Sequence, residues 1–164
     1  MLAQRIGMSE GTIFRHFPTK QHIILSIIKD VQKDFVGELR KIATQNASPQ
    51  NRLEEILCFT VKYLTDNKGI TLLLFSEASH NNDHVLKQAL MQIFNTQKQI
   101  ISKVVLDGIA EGIWDENIPV ESLAMLYMGI PVSLNIDLVL NESDFRPESF
   151  CNRMMVLLQK ILNK

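Results

Sequence analysis

Cysteine is scarce in this chain: Cys58 and Cys151 are the only two among 164 residues, and they lie far apart inside apolar stretches of helical pattern. Such spacing fits neither a disulfide framework nor the paired ligands of a structural metal site, and the expectation is two buried free thiols. Strand-like alternation, internal repeats and low-complexity linkers are also missing. No uninterrupted apolar run reaches the length of a membrane span, and the charged amino-terminal stretch lacks the apolar block of a signal peptide. A cytoplasmic protein with no membrane partner is expected. Glycine-rich phosphate loops and the patterns GxSxG, HExxH and CxxC do not occur. That points away from an enzyme, a metal and a cofactor.

What is present is helical periodicity throughout. Apolar residues make up 46% of the sequence and charged ones 21%, enough to bury a core in one domain or in a small head and a larger body. From Thr19 to about Thr44, Ile24, Ile27, Ile28, Val31, Phe35, Leu39 and Ile42 recur at helical spacing and predict one long rod. Ser48 followed by Pro49 starts the next helix, which the segment Asp66-Asn67-Lys68-Gly69 breaks. Ile70 to Ala78 is apolar on several sides and reads as a central buried helix, with a polar loop from Ser79 to Asp83. A long helix should run from about His84 to Glu111, with Gly108 and Gly112 weakening its end. Pro119 opens another over Val120 to Leu140, bent where Gly129-Ile130-Pro131 interrupts it. A last helix is expected from about Glu148 to Leu162.

Charge is unevenly spread. Met1 to Lys41 carries seven basic against four acidic residues, a balance of +3, and the remainder ten against fourteen, a balance of −4. Basic character confined to the amino end suits a head that meets a polyanion and a body that does not.

That head contains the most specific stretch of the chain. Ser9 is placed to cap a short helix, with Met8 and Ile13 as a hydrophobic staple around it. Ile13 and Phe17 share one face, and Thr12, Arg15 and His16 the other. Pro18 ends the helix and Thr19 caps its successor. Upstream, Leu2, Ala3 and Ile6 form the apolar side of another helix that stops at Gly7. Helix, glycine turn and short capped helix together make a helix-turn-helix.

The run from Leu2-Ala3 through Gly7-Met8-Ser9, Gly11-Thr12-Ile13-Phe14 and His16-Phe17 to Thr19-Lys20 closely resembles the DNA-binding segment of tetracycline-repressor-type (TetR-like) transcriptional regulators. The resemblance implies an all-α fold. It implies a partial helix-turn-helix domain over residues 1–25 and a helical effector-binding and dimerisation domain over 26–164. The candidate DNA-binding residues are Ser9, Glu10, Gly11, Thr12, Phe14, Arg15, His16 and Lys20. Arg15 can fork onto a guanine edge or a phosphate, Thr12 offers a hydroxyl and a methyl, and Lys20 would hold a phosphate. The chain departs from the family at two points. Phe14 stands where a tyrosine is usual, and such regulators carry a whole further helix before the position matched by Met1, so the three-helix head is expected to be incomplete.

The last two helices are apolar on more than one side, as pairing in a four-helix bundle between two subunits would need, and a homodimer is expected. Two recognition helices one DNA turn apart, about 34 to 36 Å, would then meet a near-palindromic operator. Phe59, Tyr63, Phe75, Met91, Phe94 and Met128 are candidates to line an apolar effector cavity, with Asn95 or Gln97 as polar points. His80 and His84 are four apart, yet a solvated helix start explains them better than a metal pair. The functional expectation is a repressor of transcription, bound to double-stranded operator DNA and released by a small molecule. The alternative is a dimeric helical sensor or interaction protein that does not bind DNA.

Overall fold

The computed structural model describes residues 17–80, 83–141 and 145–163. The candidate DNA-binding positions Ser9, Glu10, Gly11, Thr12, Phe14, Arg15 and His16, the Gly7 turn and the Met8–Ile13 staple lie outside the described residues. All regular structure among the described residues is helical.

A rod opens the described fold. Thr19 caps it by accepting from the His22 amide at 3.3 Å. The rod has three parts: α1 (Lys20–Asp30), a π-helical turn (Val31–Phe35) and α2 (Val36–Thr44). The widened turn has no signal in the periodicity, which reads as one uninterrupted helix. Five further helices follow among the described residues: α3 (Pro49–Asp66), α4 (Ile70–His80), α5 (His84–Ala110), α6 (Val120–Leu140) and α7 (Pro147–Leu162).

The boundaries follow the cap chemistry. Ser48 accepts from the Asn51 amide at 3.2 Å and Pro49 occupies the first turn of α3, where a missing N–H costs nothing. Gly69 turns the chain with φ +79°, a conformation that favours glycine. Asp83 accepts from the amides of Val85 and Leu86 at 3.0 and 3.1 Å and so starts α5. These bonds, led by that from Leu86, hold its carboxyl below the usual range. His80 closes α4 and His84 opens α5 on either side of that cap.

α5 is the central strut, packed against the rod and against α3, α4 and α6. The side chains of Leu39, Leu53, Ile56, Leu57, Val61, Val104 and Val105 are almost wholly removed from water at this junction. Burial of each such side chain stabilises the fold by about 1.5 to 3 kcal/mol before chain entropy is subtracted. Three points differ from the expectations. α4 is less buried than its composition suggests: it packs chiefly against α5 and α6, and Leu74 and Ala78 are covered while Phe75 is 47% exposed. Val120–Leu140 is, by length and composition, long and apolar enough to cross a membrane, and 44% of its apolar window is buried in the fold. Gly108 does more than weaken a helix end: a Cβ there would come within 2.2 Å of the Trp114 ring, so the glycine makes room for a buried tryptophan.

Candidate functional site

The π-helical turn sits against a cavity. Its Val31 and Phe35 form one wall, facing Tyr63 and Thr60 of α3, Phe75 of α4, Phe94 and Gln97 of α5, and Met128 and Pro131 of α6. The volume is about 120 Å³, and an apolar cavity of about 150 Å³ is known to hold benzene. α3, α4, α5 and α6 all contribute to the lining, and none of the lining residues carries a charge. Such a site favours a neutral, mostly apolar molecule, because an ion would lose its hydration with no partner to replace it.

An aromatic group connects the rod to this wall. The Phe35 ring lies 4.7 Å from Tyr63 and 5.8 Å from Phe59, centroid to centroid, the latter stacked with an interplanar angle of 15°. Burial raises the Tyr63 phenol above its ordinary range, and the carboxylates of Asp34 and Asp30 on the rod add to this. Near neutral pH the phenol therefore keeps its proton and can donate one. Thr60 is committed elsewhere, since its hydroxyl donates to the Ile56 carbonyl at 2.8 Å.

Of the candidate ligand residues, the structure brings Tyr63, Phe75, Phe94 and Met128 together around this cavity, with Gln97 as its polar point. Phe59 stands behind Phe35 and lines a different, open groove. Met91 is 61% exposed and Asn95 is also exposed, and neither lines the cavity. Both fall on the outer face of α5, where one residue's shift in helical phase moves a side chain by about 100°. Sequence reasoning missed Val31, Phe35 and Pro131, which read as plain core and as a kink.

The open groove, about 1080 Å³, lies between α3 and the start of α7. Lys62, Arg146 and Arg153 there are matched by Glu55, Asp66 and Glu148, so it offers no net charge to select an ion. Cys58 and Cys151 meet in it, both free and hydrogen-bonded to each other. Their proximity across α3 and α7 is invisible in the sequence. Among the described residues no group of three or more metal-ligating side chains occurs.

Lys20 is the one candidate DNA-binding residue among the described residues. Its Nζ lies 2.7 Å from Glu77 Oε1, joining the start of the rod to α4, and its side chain is 70% exposed. A contact so exposed contributes little, and a phosphate could displace it.

Residues 1–27 match the profile described as bacterial regulatory proteins, tetR family. The fold agrees: the TetR family transcriptional regulator PfmR from Thermus thermophilus superposes with a TM-score of 0.76 at 16% identity, over 99% of this chain and 87% of that one. The chain is TetR-like. FadR from Bacillus subtilis, solved in complex with stearoyl-CoA, has the same fold, with a TM-score of 0.73 at 19% identity over 98% and 86% of the two chains. By sequence, the TetR-like chain is similar to the nucleoid occlusion factor SlmA of Shewanella halifaxensis, 21% identical over 98% of this chain and 82% of that one. For SlmA of a Marinomonas strain the identity is 23%, over 65% of this chain and 54% of that one. The chain thus spans about half the length of some relatives it matches.

Proposed function

We propose that this TetR-like chain regulates transcription as a homodimer: its paired heads bind operator DNA in the cytoplasm, and a small molecule in the body's cavity releases them. The observation that carries this reading is the position of Val31 and Phe35. They belong both to the cavity wall and to the rod whose upstream end leads into residues matched to the tetR profile. A molecule that presses on the wall therefore acts on the rod without an intermediary. Release follows only if that molecule binds one rod geometry more tightly than the other. A π-helical turn suits such a role, because widened turns of this kind are short, irregular and common at functional sites.

Dimerisation is supported by the outer faces of the last two helices. Met125, Leu126, Ile136 and Val139 on α6, with Val156, Leu157 and Ile161 on α7, are each about 40 to 55% exposed. They lie opposite the buried stripe of each helix. Exposed apolar faces on helices of this kind favour an interface. The relatives favour the same direction: SlmA is named for an action at the nucleoid, and FadR is a transcriptional regulator solved with stearoyl-CoA.

The test is selection from a pool of random DNA duplexes with the full chain. Enrichment of a near-palindromic sequence, reversed by a cavity-binding molecule, is expected. A pool unchanged after repeated rounds would contradict the proposal.

A further inference from the structure

Cys58 and Cys151 lie far apart in the sequence, on α3 and α7, yet both line the open groove and share a hydrogen bond. The two are not equivalent. Cys58 is partly exposed, whereas Cys151 is only 1% exposed. Burial holds both thiols above their ordinary range, and the bond between them then separates their acidities. Cys151 donates its S–H to Cys58, which lowers the Cys58 thiol and raises that of Cys151. The more accessible sulfur is thus also the more easily ionised, and the thiolate is the form that attacks. Glu55 stands three residues before Cys58 and Lys62 four after it, so all three share one helix face. The groove they line carries three basic and three acidic side chains in all. That mixture selects no simple ion but complements a molecule bearing both signs.

We propose that Cys58 and Cys151 form a redox-active dithiol, oxidised by a low-molecular-weight disulfide whose halves carry both ammonium and carboxylate groups. The Cys58 thiolate attacks one sulfur of that disulfide, its S–S bond breaks, and one half leaves as a thiolate that takes a proton from water. The mixed disulfide on Cys58 occupies the groove, whose volume of about 1080 Å³ accommodates it. Cys151, already bonded through hydrogen to Cys58, then gives up its proton and attacks the Cys58 sulfur, expelling the second half. Two electrons pass from the protein to the small disulfide, two small thiols are released, and one S–S bond joins α3 to α7. An excess of the small thiol runs the same steps backwards. The bond therefore reports the ratio of thiol to disulfide around the protein. It clamps the helix that gives Thr60 and Tyr63 to the cavity against the helix that carries Leu157 on its outer face.

The experiment equilibrates the full chain with glutathione disulfide at fixed reduced glutathione, folded and in urea, then quenches with acid, alkylates the free thiols and reads intact and peptide masses. The folded chain should lose two hydrogen atoms and yield a cross-linked peptide pair containing Cys58 and Cys151. It should need at least about tenfold less glutathione disulfide for half oxidation than the chain in urea, because folding holds the two sulfurs together. Cys151→Ser should stop at a mixed disulfide on Cys58, and Cys58→Ser should react at least about tenfold more slowly, its remaining thiol being buried. The uncharged 2-hydroxyethyl disulfide should react about tenfold more slowly than glutathione disulfide with the folded chain, each rate being taken relative to that in urea. Equal half-oxidation points folded and in urea, or a mixed disulfide that persists on Cys58 in the unaltered chain, overturns the dithiol. Equal relative rates for the two small disulfides overturn the charged co-substrate and leave the dithiol standing.

Discussion

Arg52 Nη1 lies 2.9 Å from Asp107 Oδ2, and the same nitrogen donates to the Ala43 carbonyl at 2.7 Å. One buried guanidinium thereby ties the end of the rod to α3 and α5. Lys103 Nζ approaches the same carboxylate at 2.9 Å from one turn away on α5. The rod is therefore anchored at its lower end and meets the cavity higher up, through Val31 and Phe35.

Arg52→Ala should destabilise the fold by about 2 kcal/mol, the range for a charged hydrogen bond within the interior. The pH dependence follows from Asp107. Burial pushes its carboxyl up, but hydrogen bonds and charge from Lys103 and Arg52 outweigh this and hold it below the ordinary carboxylate range. A carboxyl depressed in the folded state contributes stability that is complete above the unfolded value of about 3.9 and lost as pH falls through the folded one. The urea midpoint of the parent should therefore fall below about pH 4, and that of Asp107→Asn should fall less over that window.

Gly108→Ala should cost about 1 to 3 kcal/mol, as overpacking does. The added methyl would meet Trp114 at 2.2 Å, and the ring would have to leave its pocket. A fall in melting temperature together with a red shift of the tryptophan emission checks this. An unchanged spectrum would show that the ring does not pack there.

The thiols of Cys58 and Cys151 should alkylate slowly at neutral pH. Burial raises both above the ordinary thiol range; for Cys151 the neighbouring Cys58 adds to the effect, and for Cys58 the hydrogen bond from Cys151 only partly offsets it. Thiols raised in the folded state stay protonated while unfolded ones ionise from about pH 8.5, so stability should decline as pH rises beyond that point. Iodoacetamide labelling at pH 7.5, followed by mass spectrometry, should be slower than in urea by about tenfold or more.

Leu157→Glu combined with Leu126→Glu should yield a monomer in sedimentation velocity, with the helical content unchanged. Both leucines are about half exposed on α7 and α6, so a charge there is tolerated by the single chain and opposed by a partner. A parent chain that already sediments as a monomer would contradict the dimer.

Caps and periodicity made most of the architecture legible. Thr19, Ser48 with Pro49, and the Asp66 to Gly69 break stand where their chemistry puts them. The rod's π-helical turn was not legible, since Val31 and Phe35 keep apolar spacing whether the turn is α or π. Neither was the meeting of Cys58 with Cys151, because a tertiary contact over that separation leaves no local trace. Tyr63, Phe94 and Met128 could be proposed for the cavity from type and spacing. Their agreement in space depends on how α3, α5 and α6 cross, which periodicity does not encode.

Whether this chain grips DNA through its amino-terminal motif is decided most directly by fluorescence anisotropy on a selected duplex, with the parent and Arg15→Ala compared across a salt series. The regulator proposed above predicts weaker binding by the variant and a slope against log salt that is shallower by about one, one phosphate-neutralising cation having been removed. Equal affinity and equal slopes for the two chains would contradict it.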